Sequence, residues 1–256
     1  PVPRVRFGRG GAGPAPLAGP LPAILTMPHF PDKTRFSSLA SSSRLVPVYR
    51  RLFADALTPL SAFARLDSGA AACLFESVVG GEKVGRYSFL GADPFLRLEA
   101  RGRAVRVTTA AGVEDFESDD PLAELERRVA AYRPARLPEL PPFTSGAVGY
   151  AAYDAVRYVE RLPAAPPDAL GLPDLDFAFY DRIVVFDNAT KSIDVVVLAR
   201  IDDDSPAGID RAYTAACSRV DATIRQLATP SDWPPPADIG PRHEPRCLTD
   251  GSSRSA

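Results

Sequence analysis

The segment 75–93, FESVVGGEKVGRYSFLGAD, combines the residue types best suited to binding a small charged ligand. Glu76 and Ser77 stand side by side in an apolar run, and several glycines and Arg86 follow closely. Neighbouring residues of a strand point to opposite faces, so at most one of Glu76 and Ser77 faces a given pocket. A serine hydroxyl both donates and accepts hydrogen bonds, and glycine lets a ligand approach the backbone, which suits a small zwitterion.

A structural interpretation of the same segment is also open, and the chemistry alone favours it. In that interpretation Glu76 caps the edge of a sheet and Arg86 forms an ion pair with it. The glycines then serve only to make tight turns, and the segment binds nothing.

A second segment, 145–158 (SGAVGYAAYDAVRY), places two glycines in a run of small residues. Tyr150, Tyr153, Asp154 and Arg157 follow, and their near-helical spacing predicts helical turns there.

The few histidines and cysteines restrict the chemistry further. His29 and His243 lie near the chain ends in proline-rich surroundings, so we expect no histidine base and no histidine-ligated metal. Cys73, Cys217 and Cys247 are far apart and odd in number, which makes a disulfide framework improbable. A reduced, cytoplasmic protein is the simpler expectation.

Four other patterns have simpler explanations than function. Residues 8–13 read GRGGAG, but a dinucleotide site needs a strand before this motif and a helix after it, and here it lies in proline-rich sequence. Asn188-Ala189-Thr190 matches an N-glycosylation acceptor, but we expect it to be a polar hairpin turn. Asp202-Asp203-Asp204 is expected to be a solvated turn before a helix, not a metal site. We expect Glu124, Glu126, Arg127 and Arg128 to form the solvated face of their helix.

The overall composition excludes two classes of partner. The 256 residues carry 30 Lys and Arg against 32 Asp and Glu, a net charge of −2. This balance argues against nucleic acid or an anionic membrane as the main partner. Apolar residues make up 45% of the chain, but no uninterrupted apolar run approaches the roughly 20 residues of a membrane span. The sequence predicts a soluble protein.

The prolines divide the chain into a folded part and two tails. There are 27 prolines, clustered near the start, in the middle and near the end. Residues 1–26 are expected to be a disordered leader that is not translated, with natural translation starting at Met27; the prolines disfavour the alternative of a signal or transit peptide. The folded domain is expected at 27–229, and 230–256 is expected to be a low-complexity tail or a broken end.

Short alternating runs between glycines and prolines predict antiparallel strands. The strands are expected at 72–79, 86–90 and 95–100, in a hairpin around 105–116 and in a hairpin of 183–187 with 193–199. Helices are expected after Thr58-Pro59, Asp120-Pro121 and Ser205-Pro206. Since strands and helices do not alternate, we predict an α+β fold, with mostly antiparallel sheet and flanking helices, instead of a Rossmann-type fold.

Several short runs form an ordered set over about residues 44–200. The runs are Val46-Pro47-Val48-Tyr49, Asp55, Thr58-Pro59, Leu74-Phe75-Glu76-Ser77, Gly85-Arg86-Tyr87-Ser88-Phe89, Gly91, Gly146-Ala147-Val148-Gly149-Tyr150, Tyr153-Asp154, Pro173-Asp174 and Val185-Phe186-Asp187. Taken in order, they resemble component I of anthranilate synthase, a chorismate-utilising enzyme, and the resemblance is to the N-terminal region of that family only.

The resemblance implies half of a two-layer sheet sandwich. In the family the complete enzyme is a lyase of tryptophan biosynthesis that converts chorismate and ammonia into anthranilate and pyruvate. The reaction requires Mg2+, and a glutamine amidotransferase subunit delivers the ammonia. The catalytic, chorismate-binding and magnesium-ligating residues belong to a C-terminal region, and its Gly-Ala-Pro-Lys segment has no counterpart here. We therefore expect the catalytic domain to be absent, no catalytic or metal-ligating residues in this chain, and no activity from it alone.

The resemblance also implies a feedback site. Leu74-Phe75-Glu76-Ser77 is similar to the family's Leu-Leu-Glu-Ser element, which helps to bind the inhibitor L-tryptophan. Ser77 is then expected to contact the bound amino acid, Glu76 to support the site and Arg86 to lie behind them. The rest of that pocket belongs to the C-terminal region, so we expect this part alone to bind weakly.

Three alternatives stay open. Aminodeoxychorismate synthase component I of folate synthesis has a similar N-terminal region, although the Glu-Ser element and the Gly-Arg-Tyr-Ser spacing favour anthranilate. The chain could instead be a non-catalytic tryptophan-sensing module, or the product of a pseudogene.

Overall fold

The computed structural model describes residues 27–53, 56–67, 69, 71–76, 85–163, 168 and 170–229. Its α-helices are α1 (Lys33–Ala40), α2 (Pro59–Leu66), α3 (Pro121–Ala131) and α4 (Pro206–Ala228), and a 3-10 helix spans Tyr153–Tyr158. Its strands are β1 (Leu45–Phe53), β2 (Ala72–Phe75), β3 (Tyr87–Ala92), β4 (Leu96–Arg101), β5 (Ala104–Thr109), β6 (Gly112–Glu117), β7 (Gly146–Ala151), β8 (Leu175–Tyr180), β9 (Arg182–Asp187) and β10 (Ser192–Arg200).

The strands form two five-stranded sheets in which every described pair is antiparallel. The first sheet has the order β1-β10-β9-β3-β2, and the second has the order β6-β5-β4-β8-β7. Asp181 alone separates β8 from β9, so the chain passes from one sheet to the other at that residue. The predicted α+β class with mostly antiparallel sheet is confirmed.

One face of the first sheet packs against three helices. In α4 the 3.6-residue period places Ala216, Val220, Ile224 and Leu227 on the buried face, as the sequence predicts. α2 begins with the predicted cap, because the Thr58 side chain accepts a hydrogen bond from the backbone N–H of Ser61. The core between helices and sheet contains Phe36, Leu66, Leu90, Val184, Ile193, Val195 and Val197.

The second sheet packs against α3 and the 3-10 helix. Asp120 caps α3 by accepting the backbone N–H of Ala123. Leu122 and Leu125 of α3 pack against a core whose buried members include Leu96, Leu98, Val105, Val107, Leu175 and Phe179.

Three local predictions are wrong, at least in part. β2 ends at Phe75, so the strand expected at 72–79 does not include Glu76, and residues 77–79 lie outside the described residues. In segment 145–158 the helical spacing holds only from Tyr153, because the preceding residues pair with β8 as strand β7. Glu124 and Arg128 are largely buried and form an ion pair, whereas we expected both to be solvated.

Other parts of the structure were not predicted or are not tested. α1, β1 and β8 lack a strong local signal and were missed. Cys73 and Cys217 are free thiols.

The predicted leader 1–26 and the predicted tail 230–256, which contains His243 and Cys247, lie outside the described residues. The limits 27–229 of the folded domain therefore remain a prediction. Among the described helices, none is long and apolar enough to cross a membrane.

Candidate functional site

The segment predicted to bind a ligand connects β2 to β3 at the margin of the first sheet. Glu76 directly follows β2 and is exposed, and Arg86 directly precedes β3. Phe75 and Phe89 are partners in the β2–β3 pairing, so the segment leaves and re-enters the sheet at the same end. Ser77 lies outside the described residues, and its contact with a ligand therefore stays a prediction.

Arg86 forms a bidentate ion pair with Asp187, the last residue of β9. Its Nε donates to both carboxylate oxygens at 3.1 Å, and its Nη2 donates to Oδ2 at 2.7 Å. β3 pairs with β9, and Tyr87 lies directly opposite Asp187, which brings the two side chains together. The interpretation in which Arg86 pairs with Glu76 is therefore wrong.

Asp187 stays ionised throughout the physiological range. Burial by itself raises the pKa of this carboxyl, but hydrogen bonds from Arg86, Thr190 and the backbone of Ala189 outweigh it and hold the pKa at about 2. A carboxylate with so low a pKa is a weak base. The Arg86–Asp187 pair is therefore suited to positioning and to electrostatic recognition, not to proton transfer.

A row of aromatic side chains begins at this ion pair with Tyr87. The Arg86 guanidinium carbon lies 4.9 Å from the centre of the Tyr87 ring, within the range of a cation–π contact. The Tyr87 and Phe89 rings are 6.0 Å apart, and Phe89 packs edge-on against Phe143 at 5.6 Å. Phe75, opposite Phe89, is 52% exposed. The margin of the sheet thus offers apolar ring faces next to fixed charges, which suits an aromatic ligand that carries charged groups.

A polar cleft of about 240 Å³ is lined by Tyr87 and by both residues of the ion pair, and it extends toward β10 and β1. Its wall contains a second bidentate pair, in which Arg51 donates to Asp194 at 2.7 and 2.9 Å. Arg51 also donates to the backbone oxygen of Glu139 at 3.0 Å. Asp187 and Asp194, two of the carboxylates in this wall, are therefore each held by an arginine.

The described residues do not fit the magnesium ion that the resemblance implies. Within the described ranges no group of three or more His, Cys, Asp or Glu side chains could hold a metal ion. Asp203 of the aspartate run instead accepts the backbone N–H of Ser205, at the start of α4. No step involving a metal can be derived from these residues.

Sequence reasoning missed the partner of Arg86. In the sequence, Asp187 stands out only as the end of the run Val185-Phe186-Asp187. It is 101 residues from Arg86, and only the pairing of β3 with β9 brings them together. The local signal was an aspartate at a strand end before a polar turn, where its side chain also accepts backbone N–H groups of the turn.

Comparison with protein families matches residues 79–244 to the family described as chorismate binding enzyme. The anthranilate synthase component 1 of Acetivibrio thermocellus is 33% identical over 198 residues, covering 77% of this chain and 39% of that protein. Its counterpart in Pseudomonas aeruginosa is 38% identical over 203 residues, covering 78% and 40%. Both are proteins to which this chain is similar over part of their length.

One similar solved structure is the anthranilate synthase component I of Streptococcus pneumoniae TIGR4. It is 23% identical, with a TM-score of 0.46, and the match covers 72% of this chain and 37% of that one. The chain spans about two fifths of the length of the curated relatives it matches.

Proposed function

Because the chain belongs to the family of chorismate binding enzymes, we propose that it is the tryptophan-sensing part of an anthranilate synthase component 1. The complete protein would convert chorismate and ammonia into anthranilate and pyruvate. In this proposal the reaction is a lyase reaction that uses Mg2+, and a glutamine amidotransferase subunit supplies the ammonia. The shared name of the similar curated proteins supports this reaction over its folate counterpart.

The observation that carries the proposed feedback site is the anchoring of the segment between β2 and β3. One end follows Phe75, and the other is tied to β9 by the Arg86–Asp187 pair. The described residues on either side of the segment, Phe75 and Arg86, therefore lie beside the rings of Phe89 and Tyr87. An indole ring would pack on such apolar faces, and the polar groups of the segment would bind the ammonium and carboxylate of an amino acid.

Each predicted residue has a distinct role in this proposal. Ser77 contacts the amino acid with its hydroxyl group. Glu76, exposed at the end of β2, supports the site with its negative charge. Arg86 does not touch the ligand: it positions the segment by holding Asp187.

Thermal unfolding with and without amino acid tests the feedback site. We expect L-tryptophan to raise the Tm of the whole chain at millimolar concentration, and D-tryptophan to have no effect. Ser77→Ala should abolish this shift, whereas Ser218→Ala should retain it, since Ser218 bonds only to its own helix at Thr214. A chain that unfolds cooperatively and shows no L-specific shift would contradict the feedback site.

A chimera tests the reaction. The chain replaces the 203 residues that it matches in the Pseudomonas aeruginosa relative. Anthranilate fluorescence is then followed from chorismate and ammonium ions. We expect anthranilate to form and L-tryptophan to inhibit its formation. A folded chimera that consumes no chorismate would contradict the proposed reaction.

A further inference from the structure

Two connections that lie side by side join the two sheets. Asp181 alone separates β8 from β9, and residues 93–95 separate β3 from β4. β3 pairs with β9 in the first sheet and β4 pairs with β8 in the second, so both connections pass between the sheets at the same place. Together, 93–95 and Asp181 form the crossing. Its backbone is bonded at both ends, since the N–H of Phe95 donates to the oxygen of Phe179 at 3.0 Å and the N–H of Leu198 donates to the oxygen of Asp181 at 2.8 Å.

One ion pair joins the two connections to each other. Arg182, the first residue of β9, donates through Nη2 to Oδ2 of Asp93 in the other connection. Asp93 has a φ of +54°, in the left-handed region that residues other than glycine seldom adopt and that aspartate tolerates better than most. The Arg182–Asp93 pair therefore holds the sharp turn of one connection against the start of the other.

A second ion pair ties the crossing to helix α4. Nη1 and Nη2 of Arg219 donate to Oδ2 and Oδ1 of Asp181 at 2.8 and 2.7 Å. A bidentate pair of this kind fixes direction as well as distance. Val220 and Ile224 of α4 belong to the core of the first sheet, so Arg219 attaches the crossing to the helix layer of that sheet.

An aromatic ring fills the other face of the crossing. Neighbouring residues of an extended chain point to opposite faces, so the Tyr180 ring lies on the face away from the Asp181 carboxylate. A Cβ atom at Gly91 would lie 3.0 Å from this ring and 3.0 Å from Sγ of Cys73. Packing thus restrains the crossing on this face, whereas ion pairs restrain it on the α4 face. Arg219 and Asp93 are 47% and 45% exposed, so salt can screen both pairs.

We propose that the crossing is a hinge between the two sheets, and that the Arg182–Asp93 and Arg219–Asp181 pairs lock it. Each sheet has a separate core with its own helices. When the lock is released, the crossing opens locally while both sheets stay folded around those cores. The hinge does not depend on the proposed function.

β9 leads directly from this hinge to the Arg86–Asp187 pair. Asp181 precedes β9 and Asp187 ends it, about 20 Å further along an extended strand. A change of angle at the crossing therefore moves Asp187, and with it Arg86, relative to the second sheet. The lock sets the position of the candidate site with respect to that sheet.

Residue-resolved amide hydrogen exchange of the whole chain tests the lock. Arg182→Met and Arg219→Met, separately and together, remove the charges and keep much of the side-chain length. We expect the N–H groups of Phe95 and Leu198 to exchange about tenfold faster or more in the double variant. The N–H groups of Leu98 and Val195, which lie in strands paired on both sides, should exchange at the wild-type rate. Equal acceleration at all four positions would show that the pairs only stabilise the fold, and no acceleration at Phe95 and Leu198 would show that they lock nothing; either result would overturn the proposal.

Two further variants separate the lock from a general effect of lost charge. Arg106→Met removes a bidentate pair with Asp115 inside the second sheet and should leave Phe95 and Leu198 unchanged. Arg219→Lys keeps the charge without the fork geometry and should accelerate exchange less than Arg219→Met. Acceleration at the crossing by Arg106→Met as large as that by Arg219→Met would overturn the proposal.

Salt tests the lock in the wild-type chain, whether or not the double variant folds. At about 1 M sodium chloride the screening length falls to about 3 Å. We expect exchange at Phe95 and Leu198 to accelerate relative to Leu98 and Val195 in the same sample. A ratio that does not change between low and high salt would overturn the proposal.

Discussion

Arg86 ties the start of β3 to the end of β9 through Asp187, with 2.7 Å between Nη2 and Oδ2. Asp187 is almost fully covered, with 12% of its side chain exposed, while Arg86 is 42% exposed. The covered Asp187 fixes the position of the Arg86 side chain, which extends over the Tyr87 ring. The pair therefore sets where the segment carrying Ser77 re-enters the sheet.

Asp187→Asn should weaken this attachment. The substitution keeps the shape of the side chain but removes the charge that Arg86 neutralises, and we expect a loss of about 1–2 kcal/mol in the free energy of unfolding. Urea denaturation at neutral pH measures it. Asp115→Asn is the control, since Asp115 pairs with Arg106 in the same bidentate way but with both side chains more than half exposed. The control should cost less than Asp187→Asn does, because an exposed ion pair contributes little, and equal losses would refute the argument.

The Arg86–Asp187 pair also predicts that the stability of the folded protein depends on pH. The pKa of Asp187 in the folded protein is about 2, below the value of about 3.9 for an unfolded chain. A depressed pKa stabilises the folded state fully above about pH 4, and this contribution is lost as the pH falls toward about 2. The stability difference between the wild type and Asp187→Asn should shrink over that interval in urea titrations. A difference independent of pH would show that the charge of Asp187 is not the cause.

Local patterns in the sequence predicted what depends on local interactions. The helix caps at Thr58 and Ser205, the buried face of α4 and the hairpin of β9 and β10 all follow from neighbouring residues. Contacts between distant residues could not be predicted in this way. β1 pairs with β10 across about 150 residues of sequence. The apolar run of β10 is equally compatible with several partner strands, so the sequence alone does not select β1. For the site, Arg86 was identified but its partner was not, because strand pairing selects the partner.

His29 and the buried Arg50 both contact Asp221, and this predicts unequal effects of substitutions at Asp221 and His29. Arg50 is 1% exposed, and its Nη1 donates to Oδ1 of Asp221 at 2.9 Å. His29 Nε2 lies 3.0 Å from the same oxygen, and this contact holds the segment before α1 against α4. Asp221→Ala removes a counter-charge from a buried guanidinium and should cost about 3 kcal/mol. His29→Ala removes one partly exposed hydrogen bond and should cost about 1 kcal/mol. Thermal and urea unfolding of both variants would measure this, and equal losses would contradict it.

Gly149→Ala should disrupt β7 more than a substitution at Ala151, which is also exposed. A Cβ atom at this position would lie 1.9 Å from the backbone oxygen of Asp176 and 2.7 Å from Cα of Phe177, so the obstacle is the backbone of β8 itself. Neither strand can yield without breaking the β7–β8 pairing, and we expect a loss of at least about 2 kcal/mol together with faster amide exchange in β7. Ala151→Ser, at the exposed end of the same strand, is the control and should change neither measurement. If Gly149→Ala leaves exchange in β7 unchanged, the close approach of the two backbones is not required for the β7–β8 pairing.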